Sequence, residues 1–303
     1  LFWNTIEKGG GFMQNLSPLR YPGGKSKLAD FIGLTIQNLN MPNCIYIEPF
    51  AGGSGVALSL LLNGIVERIV INDLDKAIYS FWRAIKQEPF RLIEKIENTP
   101  ITMDEWYKQK QIYSSSTTYS LDLAFATLFL NRTNRSGILT AGPIGGYAQA
   151  GEWKLDVRFN KASLIKKIEM LSVQKGNITV YNKDIISLIN NYIPRFGTNT
   201  FIYFDPPYYN KGQKLYKNFL TPCDHQKIHD AIVQNVHVPW IITYDGVPEI
   251  CNLYAPYMTR EFDLIYSAAN KGKASELMIF SDDFLCPTQE QLLDHQISIS
   301  FRV

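Results

Sequence analysis

Phe201-Ile-Tyr-Phe-Asp-Pro-Pro-Tyr-Tyr209 joins an apolar, β-prone run to an acidic residue, two prolines and two aromatic residues. The apolar part predicts a central strand of a parallel sheet that helices cover on both faces. Pro206 and Pro207 end that strand, because proline has no N–H and forces the residue before it into an extended conformation. The carbonyl oxygens of Asp205 and Pro206 therefore lack partners in the sheet, and the strand ends in a cluster of hydrogen-bond acceptors.

The end of this strand suits a planar group that donates N–H bonds. Tyr208 offers a flat aromatic face beside the acceptors, and open α/β sheets bind ligands at the carboxyl ends of their strands. The exocyclic amine of a nucleobase is such a group, since its lone pair is delocalised into the ring until acceptors draw on its N–H bonds. A purely structural alternative has Asp205 capping a turn and Tyr208 filling a surface gap.

Length and composition indicate one large α/β domain, or a domain with a smaller one inserted. The 303 residues are 46% hydrophobic and 19% charged, which excludes a disordered chain. The sequence has no apolar run of transmembrane length, no hydrophobic signal core and no C-x-x-C pair among its four cysteines. We therefore expect a cytoplasmic protein with neither a zinc site nor a disulfide framework, and we interpret residues 1–12 as a leader outside the domain.

The charges are unevenly placed, although the formal net charge is only +2. Between Phe129 and Lys175 the local net charge is +5, from eight cations and three anions. A basic region on an otherwise ordinary surface indicates nucleic-acid binding. Part of the excess is explained equally well by the solvated face of an amphipathic helix, which the spacing predicts from Lys161 to Lys175.

Two turns flank the first predicted strand. Leu19-Arg-Tyr-Pro-Gly-Gly-Lys25 predicts a turn before a helix from Leu28 to Leu39, and Lys25 can meet a carboxylate there; a plain surface turn is the alternative. Further on, a short strand, the glycine turn Ala51-Gly-Gly-Ser-Gly55 and an apolar helix open a nucleotide-binding unit. The next strand ends at Asp73, about twenty residues after the glycines, a spacing at which a carboxylate meets ribose hydroxyls. This predicts a cofactor with a ribose.

The middle of the chain lacks strand signals. Helical spacing is followed by the polar segment Asn131 to Gly146, rich in turn formers, amides and arginines. We interpret residues 76–176 as an inserted, mainly helical domain, and residues 13–75 and 177–303 as the catalytic domain. The helices of the insert are predicted at Ala77 to Glu97, Asp104 to Tyr113 and Leu121 to Leu130.

Strands and helices alternate again after the insert. The strand Ile178 to Asp184 ends in a second acid that could accept a cofactor N–H, and Thr221 starts a helix with a capping box. His225 and His229 have the spacing of a zinc-protease helix, but Gln226 stands where that site needs Glu, so we expect no metal. The remaining strands are predicted at Trp240 to Asp245, Glu261 to Ala268 and Glu276 to Ser281, the last two joined by the turn Asn270 to Ala274.

With these motifs in order, the chain resembles the Dam-type DNA adenine-N6 methyltransferases. The resemblance rests on Leu19 to Lys25, Glu48-Pro-Phe-Ala-Gly-Gly-Ser-Gly55, Asn182-Lys-Asp184 and Asp205-Pro-Pro-Tyr208. It implies a Rossmann-like α/β fold with a seven-stranded methyltransferase sheet, an inserted target-recognition domain, and S-adenosyl-L-methionine as the cofactor. It also implies site-specific methylation of N6 on an adenine flipped out of double-stranded DNA, without a metal or a membrane partner.

The resemblance also implies a role for individual residues. Asp73 would hold the ribose hydroxyls, Asp184 the adenine amino group of the cofactor, and the glycine turn the methionine part, with Tyr21 and Lys25 closing over it. Asp205 and the Pro206 carbonyl would accept the target N6 hydrogens while Tyr208 stacks on the base. The implied catalytic residues are Asp205, Pro206, Pro207 and Tyr208, and the implied cofactor-binding residues are Tyr21, Lys25, Glu48, Phe50, Gly52, Gly53, Gly55, Asp73, Asp184 and Asp205.

The segment Asn131 to Gly146 resembles the recognition hairpin region of the family. Arginine matches the major-groove edge of guanine, whereas lysine meets phosphates as a point charge. The expected DNA-binding residues are Asn131, Arg132, Asn134, Arg135, Ser136, Arg158 and Lys161. The recognition sequence and biological setting stay open, including a cognate restriction endonuclease as a functional partner.

Two other functions stay open at this point. The nearer is a methyltransferase for RNA adenine or protein glutamine, although glutamine methylators usually begin the catalytic motif with Asn and lack the Lys25 turn. The more distant is a DNA-binding module without activity. Its sign would be the loss of a motif acid, and Asp73, Asp184 and Asp205 are all present.

Overall fold

Eight strands form one mixed sheet in this computed structural model, which describes residues 16–20, 25–209, 220–264, 276–297 and 299–302. The implied cofactor residue Tyr21, the turn at 270–274 and residues 1–12 lie outside that part of the chain. The sheet order is β3-β2-β1-β4-β5-β7-β6-β8. The strands are β1 (Ile45–Glu48), β2 (Arg68–Asn72), β3 (Ile178–Tyr181), β4 (Thr200–Phe204), β5 (Trp240–Asp245), β6 (Met258–Leu264), β7 (Glu276–Phe280) and β8 (Ile299–Phe301).

The strand order creates the cleft that the site needs. β1 pairs in parallel with β2 on one side and with β4 on the other, and β3 and β5 continue the parallel part outward. All residues of β1, β4 and β5 are buried, which confirms the central position predicted for the strand from Phe201 to Phe204. Because the chain turns to opposite directions after β1 and β4, a crevice opens between their carboxyl ends.

The sheet has one more strand than the expected seven. β6 and β7 form the predicted antiparallel pair, although the predicted part up to Ala268 lies outside the described residues. β8 then pairs antiparallel with β6 and extends the sheet edge. The seven strands that the resemblance implied are not confirmed, and the three residues of β8 are too short a run for an alternating pattern to identify.

Eleven helices lie within the described residues and cover both faces of the sheet. One face packs against the helices before residue 174 and the last helix of the chain's described part, through Tyr46, Phe201, Tyr203 and neighbouring side chains. The other packs against helices of the second half through residues such as Ile202 and Phe204. The helices are α1 (Ala29–Asn38), α2 (Gly55–Leu62), α3 (Lys76–Gln87), α4 (Pro89–Asn98), α5 (Met103–Ser115), α6 (Leu121–Thr133), α7 (Lys161–Val173), α8 (Ile185–Asn191), α9 (Pro222–Asn235), α10 (Pro248–Leu253) and α11 (Gln289–Asp294).

The helical run predicted from Ala77 to Glu97 is two helices, so that prediction was wrong in its continuity. Glu88 leaves the helical conformation with φ −136° and ψ 43°, and Pro89 begins α4 at its first position. A residue before proline is disfavoured in the α region, while proline is well suited to a helix start.

The capping box at Thr221 was predicted correctly and begins α9.

The region from α3 to α7 packs directly on the sheet. Its buried side chains, including Phe81, Trp82 and Phe129, belong to the same hydrophobic cluster as Tyr46 and Phe201. The boundaries of the inserted domain at residues 76 and 176 stay a prediction. Among the described helices none is both long and apolar enough to cross a membrane.

Candidate active site

One cavity of about 1040 Å³ opens at the carboxyl ends of the parallel strands. It brings together residues that are more than 150 positions apart in the chain, such as Lys25 and Asp205. Of the implied catalytic and cofactor-binding residues, those that line it are Lys25, Glu48, Phe50, Gly52, Gly53, Gly55, Asp73, Asp184, Asp205 and Pro207. The motifs that carried the resemblance therefore meet in one place.

The glycine turn after β1 is held in a fixed shape by neighbouring elements. Gly52 adopts φ 45°, and its N–H donates to Asp73 Oδ2 at 2.9 Å. Its carbonyl accepts a bond from Trp82 Nε1 on α3 at 2.9 Å. A Cβ at position 55 would lie 3.0 Å from Ser26 Cβ, so glycine there lets the Lys25 turn pack against this loop. The two N-terminal motifs thus form one wall of the cavity.

Asp73 lies at the end of β2 with both carboxylate oxygens engaged by backbone. Oδ2 accepts from Gly52 N, and Oδ1 accepts from Asp75 N at 2.8 Å. Burial raises the pKa of Asp73 to about 7, against the effect of these two hydrogen bonds. Each oxygen retains a second lone pair, so the side chain can still accept hydroxyl donors from the cavity.

Asp184 caps the N-terminus of α8, a helix that was not predicted. Its Oδ1 accepts from the backbone N–H groups of Ile186 at 3.0 Å and Ser187 at 3.2 Å. Asn182 donates to the backbone carbonyls of Asp73 and Leu74, which ties the ends of β2 and β3 together. The two acids at these strand ends therefore sit on one rim of the cavity.

Asp205 follows β4 and faces both the cavity and the sheet. Its Oδ1 accepts a hydrogen bond from Thr243 Oγ1 on β5 at 2.8 Å. Burial raises the pKa of Asp205, and the nearby carboxylate of Glu276 adds to this, whereas Lys25 and the Thr243 bond act in the opposite direction. The strand end is thus a desolvated carboxylate with one oxygen held from behind.

Lys25 lies deeper than the resemblance implied. The side chain is buried, and Nζ donates to Tyr208 Oη at 2.6 Å and forms an ion pair with Glu276. Its ammonium also lies 5.1 Å from the centre of the Tyr208 ring. Lys25 therefore joins the Asp205-Pro-Pro-Tyr208 end of the site, while its closing over the cofactor stays a prediction.

Two residues of this end were missed in the sequence. Thr243 is a single small polar side chain inside an apolar strand, and Glu276 starts β7 after a segment outside the described residues. The polar residue in a buried strand was the available signal for Thr243. Nothing comparable marks Glu276, because its partner Lys25 is 251 residues away.

Tyr209, directly after Tyr208, is held by residues of β5 and α9. Tyr209 N donates to Asp245 Oδ1 at 2.8 Å, and the Tyr209 ring lies 5.1 Å from the His225 ring. His225 is buried, its Nδ1 is 3.0 Å from Tyr244 Oη, and burial lowers its pKa. The part of the chain that the structure describes holds no group of three or more His, Cys, Asp or Glu that could bind a metal.

Asn131 and Asn134, expected to contact DNA, are 1% and 0% exposed. Asn131 accepts from Arg20 N at 2.7 Å and donates to Arg20 O at 2.6 Å and Gly137 O at 2.9 Å. Asn134 accepts from Trp106 Nε1 at 2.7 Å. Both side-chain amides form hydrogen bonds within the protein, which differs from the expected contact with DNA. The two residues instead stabilise the conformation of the loop.

Arg132 is held by the backbone near the start of the described chain, and its expected role as a base contact stays a prediction. Its guanidinium donates to Pro18 O, and burial, followed by the charge of Arg20, lowers its pKa to about 10. Two further cations line the same part of the cavity, namely Arg158 and Lys167, which donates to Ser17 O at 3.1 Å. We call Arg20, Arg132, Arg158 and Lys167 the cation cluster; Arg20 and Lys167 were missed as site residues.

The other expected DNA contacts remain at the surface. Arg135 and Ser136 are exposed at the turn that follows Asn134, and Ser136 adopts a positive φ of 56°. Lys161 donates to Glu97 O at 2.8 Å and lies outside the cavity lining. Arg135 is thus the more exposed of the two arginines of this loop.

The chain is similar to known methyltransferases. The Type II methyltransferase M.MjaIII of Methanocaldococcus jannaschii is 24% identical over 204 residues, which are 63% of this chain and 68% of that protein. Modification methylase StsI of Streptococcus sanguinis is 24% identical over 238 residues, 73% of this chain but only 34% of that protein. The match to the solved rRNA methyltransferase aviRa of Streptomyces viridochromogenes covers 88% of both chains at 14% identity, with a TM-score of 0.40. The family model for D12 class N6 adenine-specific DNA methyltransferases matches residues 21–278, and the chain belongs to that family.

Proposed function

We propose that this protein transfers a methyl group from S-adenosyl-L-methionine to N6 of an adenine that is flipped out of double-stranded DNA at a specific site. The observation that carries the proposal is the position of Asp205, a buried strand-end carboxylate in the same cavity as the glycine turn and Asp73. At one end of the cavity Asp205 offers hydrogen-bond acceptors for an amine, and at the other end the glycine turn and Asp73 can bind a nucleoside cofactor. Membership of the adenine-N6 family supports the same reaction.

The residues present fit the proposed cofactor. Asp73 offers carboxylate oxygens to ribose hydroxyls, and Asp184 keeps Oδ2 clear of the bonds that Oδ1 makes to α8. The fixed glycine turn leaves space above its backbone for the methionine part. S-adenosyl-L-methionine supplies an activated methyl group on a sulfonium.

The chain's own contribution is positioning and electrostatics. Asp205 accepts a hydrogen bond from one N6–H, and the Pro206 carbonyl accepts one from the other N6–H. The nitrogen lone pair then becomes available for attack on the methyl group. Tyr208 stacks on the base through its ring. The charge of Lys25 favours the ionised form of Asp205, the form that can only accept hydrogen bonds.

A competition assay distinguishes this substrate from the alternatives. The protein is incubated with radiolabelled S-adenosyl-L-methionine and equal masses of unmethylated DNA, RNA and unfolded protein. We expect label in DNA alone; incorporation into RNA or glutamine residues would favour the other methyltransferase functions, and no incorporation would favour the inactive module. A cognate restriction endonuclease stays a prediction.

Asp73 should control cofactor affinity and its pH dependence. A hydrogen bond to a charged group contributes roughly 1.5–3 kcal/mol, so Asp73→Ala should weaken binding by about that amount. Ribose hydroxyls donate to the ionised carboxylate, and the pKa of Asp73 is about 7 before binding. Affinity should therefore fall as the pH drops below 7 in wild type and stay flat in Asp73→Asn. Calorimetry at pH 6 to 8 that gave parallel profiles for both proteins would reject the assignment.

The cation cluster is suited to DNA phosphates. Burial and then the charge of Arg158 lower the pKa of Arg20, and burial and then the charge of Arg20 lower the pKa of Arg132, which indicates like charges held close together. Arg20 donates to the Asn134 carbonyl and Arg132 to the Pro18 carbonyl, and these neutral acceptors do not cancel the positive charges. A phosphate backbone entering the cavity would relieve this repulsion and guide the target base toward Asp205.

Arg135 and Arg158 should therefore fail in different ways. Arg135→Ala should cost about 1–3 kcal/mol on the cognate site and relax sequence preference, while Arg158→Ala should weaken all DNA alike and lower the salt slope by about one. Both side chains are exposed, so neither change should disturb the core. Lys161→Ala, outside the cavity, provides the comparison for a remote surface cation. Site profiling at two salt concentrations decides; an Arg135 variant that keeps its preference would remove the base-reading role.

A further inference from the structure

Behind Asp205 a chain of hydroxyls crosses two strands. Tyr203 and Thr243 are both fully buried, at 0% exposure. Tyr203 pairs with Ile241 in the parallel register of β4 and β5, and continuing that register sets Asp205 opposite Thr243. Thr243 Oγ1 is 2.8 Å from Asp205 Oδ1 and 2.8 Å from Tyr203 Oη. The three side chains form a continuous hydrogen-bonded line on one face of the sheet.

The direction of this line follows from the number of protons available. An ionised carboxylate can only accept hydrogen bonds, so Thr243 must donate its single hydroxyl proton to Asp205. Tyr203 is then the donor to Thr243, since Thr243 has no second proton to give. Each bond polarises the next, and the donor character of Thr243 toward Asp205 increases. The line is complete only while Asp205 is ionised, because a protonated Asp205 would compete with Thr243 for the role of donor.

Other groups act on the same carboxylate from every neighbouring element. Lys25 faces it from the turn before α1, Tyr46 and Glu48 from β1, and Glu276 from β7. Burial and the charge of Glu276 disfavour a negative charge at Asp205, whereas burial and the charge of Asp205 raise the pKa of Glu48. Lys25 favours that charge but is shared with Glu276 and the Tyr208 hydroxyl. Thr243 is the neutral donor in direct contact with Asp205.

We propose that Thr243, supported by Tyr203, is a positioning residue that keeps Asp205 ionised and turns its other oxygen toward the substrate amine. Oδ1 is held from behind, and Oδ2 is left to accept the N6 hydrogen. The inference rests on the function proposed for Asp205. It adds a residue that touches neither substrate nor cofactor and acts only through the catalytic carboxylate.

The test is the pH profile of kcat/KM for DNA at saturating cofactor, which removes the contribution of Asp73. This profile reports the ionisation of essential groups in the protein before DNA binds. Thr243→Val has nearly the shape of threonine but no hydroxyl, so its acid limb should move upward by about one to two pH units. Thr243→Ser should restore the limb, and Tyr203→Phe should shift it in the same direction by less.

Matched controls separate this role from a merely structural one. Thermal unfolding and cofactor affinity are measured for each variant; a structural role would lower both, or the high-pH plateau, without moving the limb. The inference would be overturned by an unmoved limb in Thr243→Val, by failure of Thr243→Ser to restore the limb, or by a wild-type profile without an acid limb. Asp205→Asn tests the underlying function separately, because turnover in that variant would contradict the role of Asp205 whatever Thr243 does.

Discussion

Asp205→Ala is expected to abolish methyl transfer while cofactor affinity stays close to that of wild type. The carboxylate lies at the amine end of the cavity. Within the described residues it interacts with Thr243, Lys25 and Glu276 rather than with the glycine turn or Asp73. Removal of one preorganised electrostatic group typically costs about 10²–10³ in kcat, and here the group also orients the amine. The loss should therefore appear in the rate of transfer.

Two measurements make this expectation sharp. Single-turnover transfer to DNA gives the rate, and calorimetry gives the cofactor affinity of the same preparation. Asp73→Ala is the control variant with the opposite expected effect. It should weaken cofactor binding, and its rate of methyl transfer should recover at high cofactor concentration. Near-normal turnover in Asp205→Ala would refute the catalytic assignment, and a large loss of cofactor affinity would move Asp205 to the cofactor site.

Tyr208→Ala should be severe and Tyr208→Phe mild. Stacking of a base on an aromatic ring contributes roughly 1–3 kcal/mol, and phenylalanine keeps the ring. The hydroxyl accepts a bond from Lys25, but Lys25 keeps Glu276 when that bond is lost. The ring, rather than the hydroxyl, should therefore decide how well the target base is held.

Binding of DNA whose target adenine is replaced by an abasic site separates the two parts of Tyr208. Wild type should lose affinity for this DNA, whereas Tyr208→Ala should bind both DNAs equally because no stacking is left to lose. Equal damage to turnover from the Phe and Ala changes would show that the hydroxyl, through Lys25, is what counts.

The parallel strands and the acids that follow them were predictable because their signals are local. An apolar run that ends at Asp205-Pro206-Pro207 is recognisable in one stretch, and so is the spacing from the glycine turn to Asp73. Both predictions hold in the position of β4 and β2 and in the cavity that their ends share. The cofactor and catalytic roles of these residues stay proposals.

The predictions that missed depended on contacts between distant parts of the chain. Asn131 was expected at the DNA because its segment resembles the recognition hairpin region of the family, yet its side chain binds the backbone of Arg20, 111 residues away. Thr243 and Asp205 meet only because β4 and β5 are neighbours in a definite register. Sequence spacing gives neither the register nor the burial, so the buried partners of the site emerged only from the fold.

The most direct test of the central claim is the identity of the modified nucleoside. DNA that lacks methylation is incubated with the protein and S-adenosyl-L-methionine, digested to nucleosides and resolved by mass spectrometry, with Asp205→Ala as the control. We predict N6-methyl-2′-deoxyadenosine from the wild-type reaction and none from the control. A methylated cytosine, or the same yield of methyladenine from Asp205→Ala, would contradict adenine methylation at the end of β4.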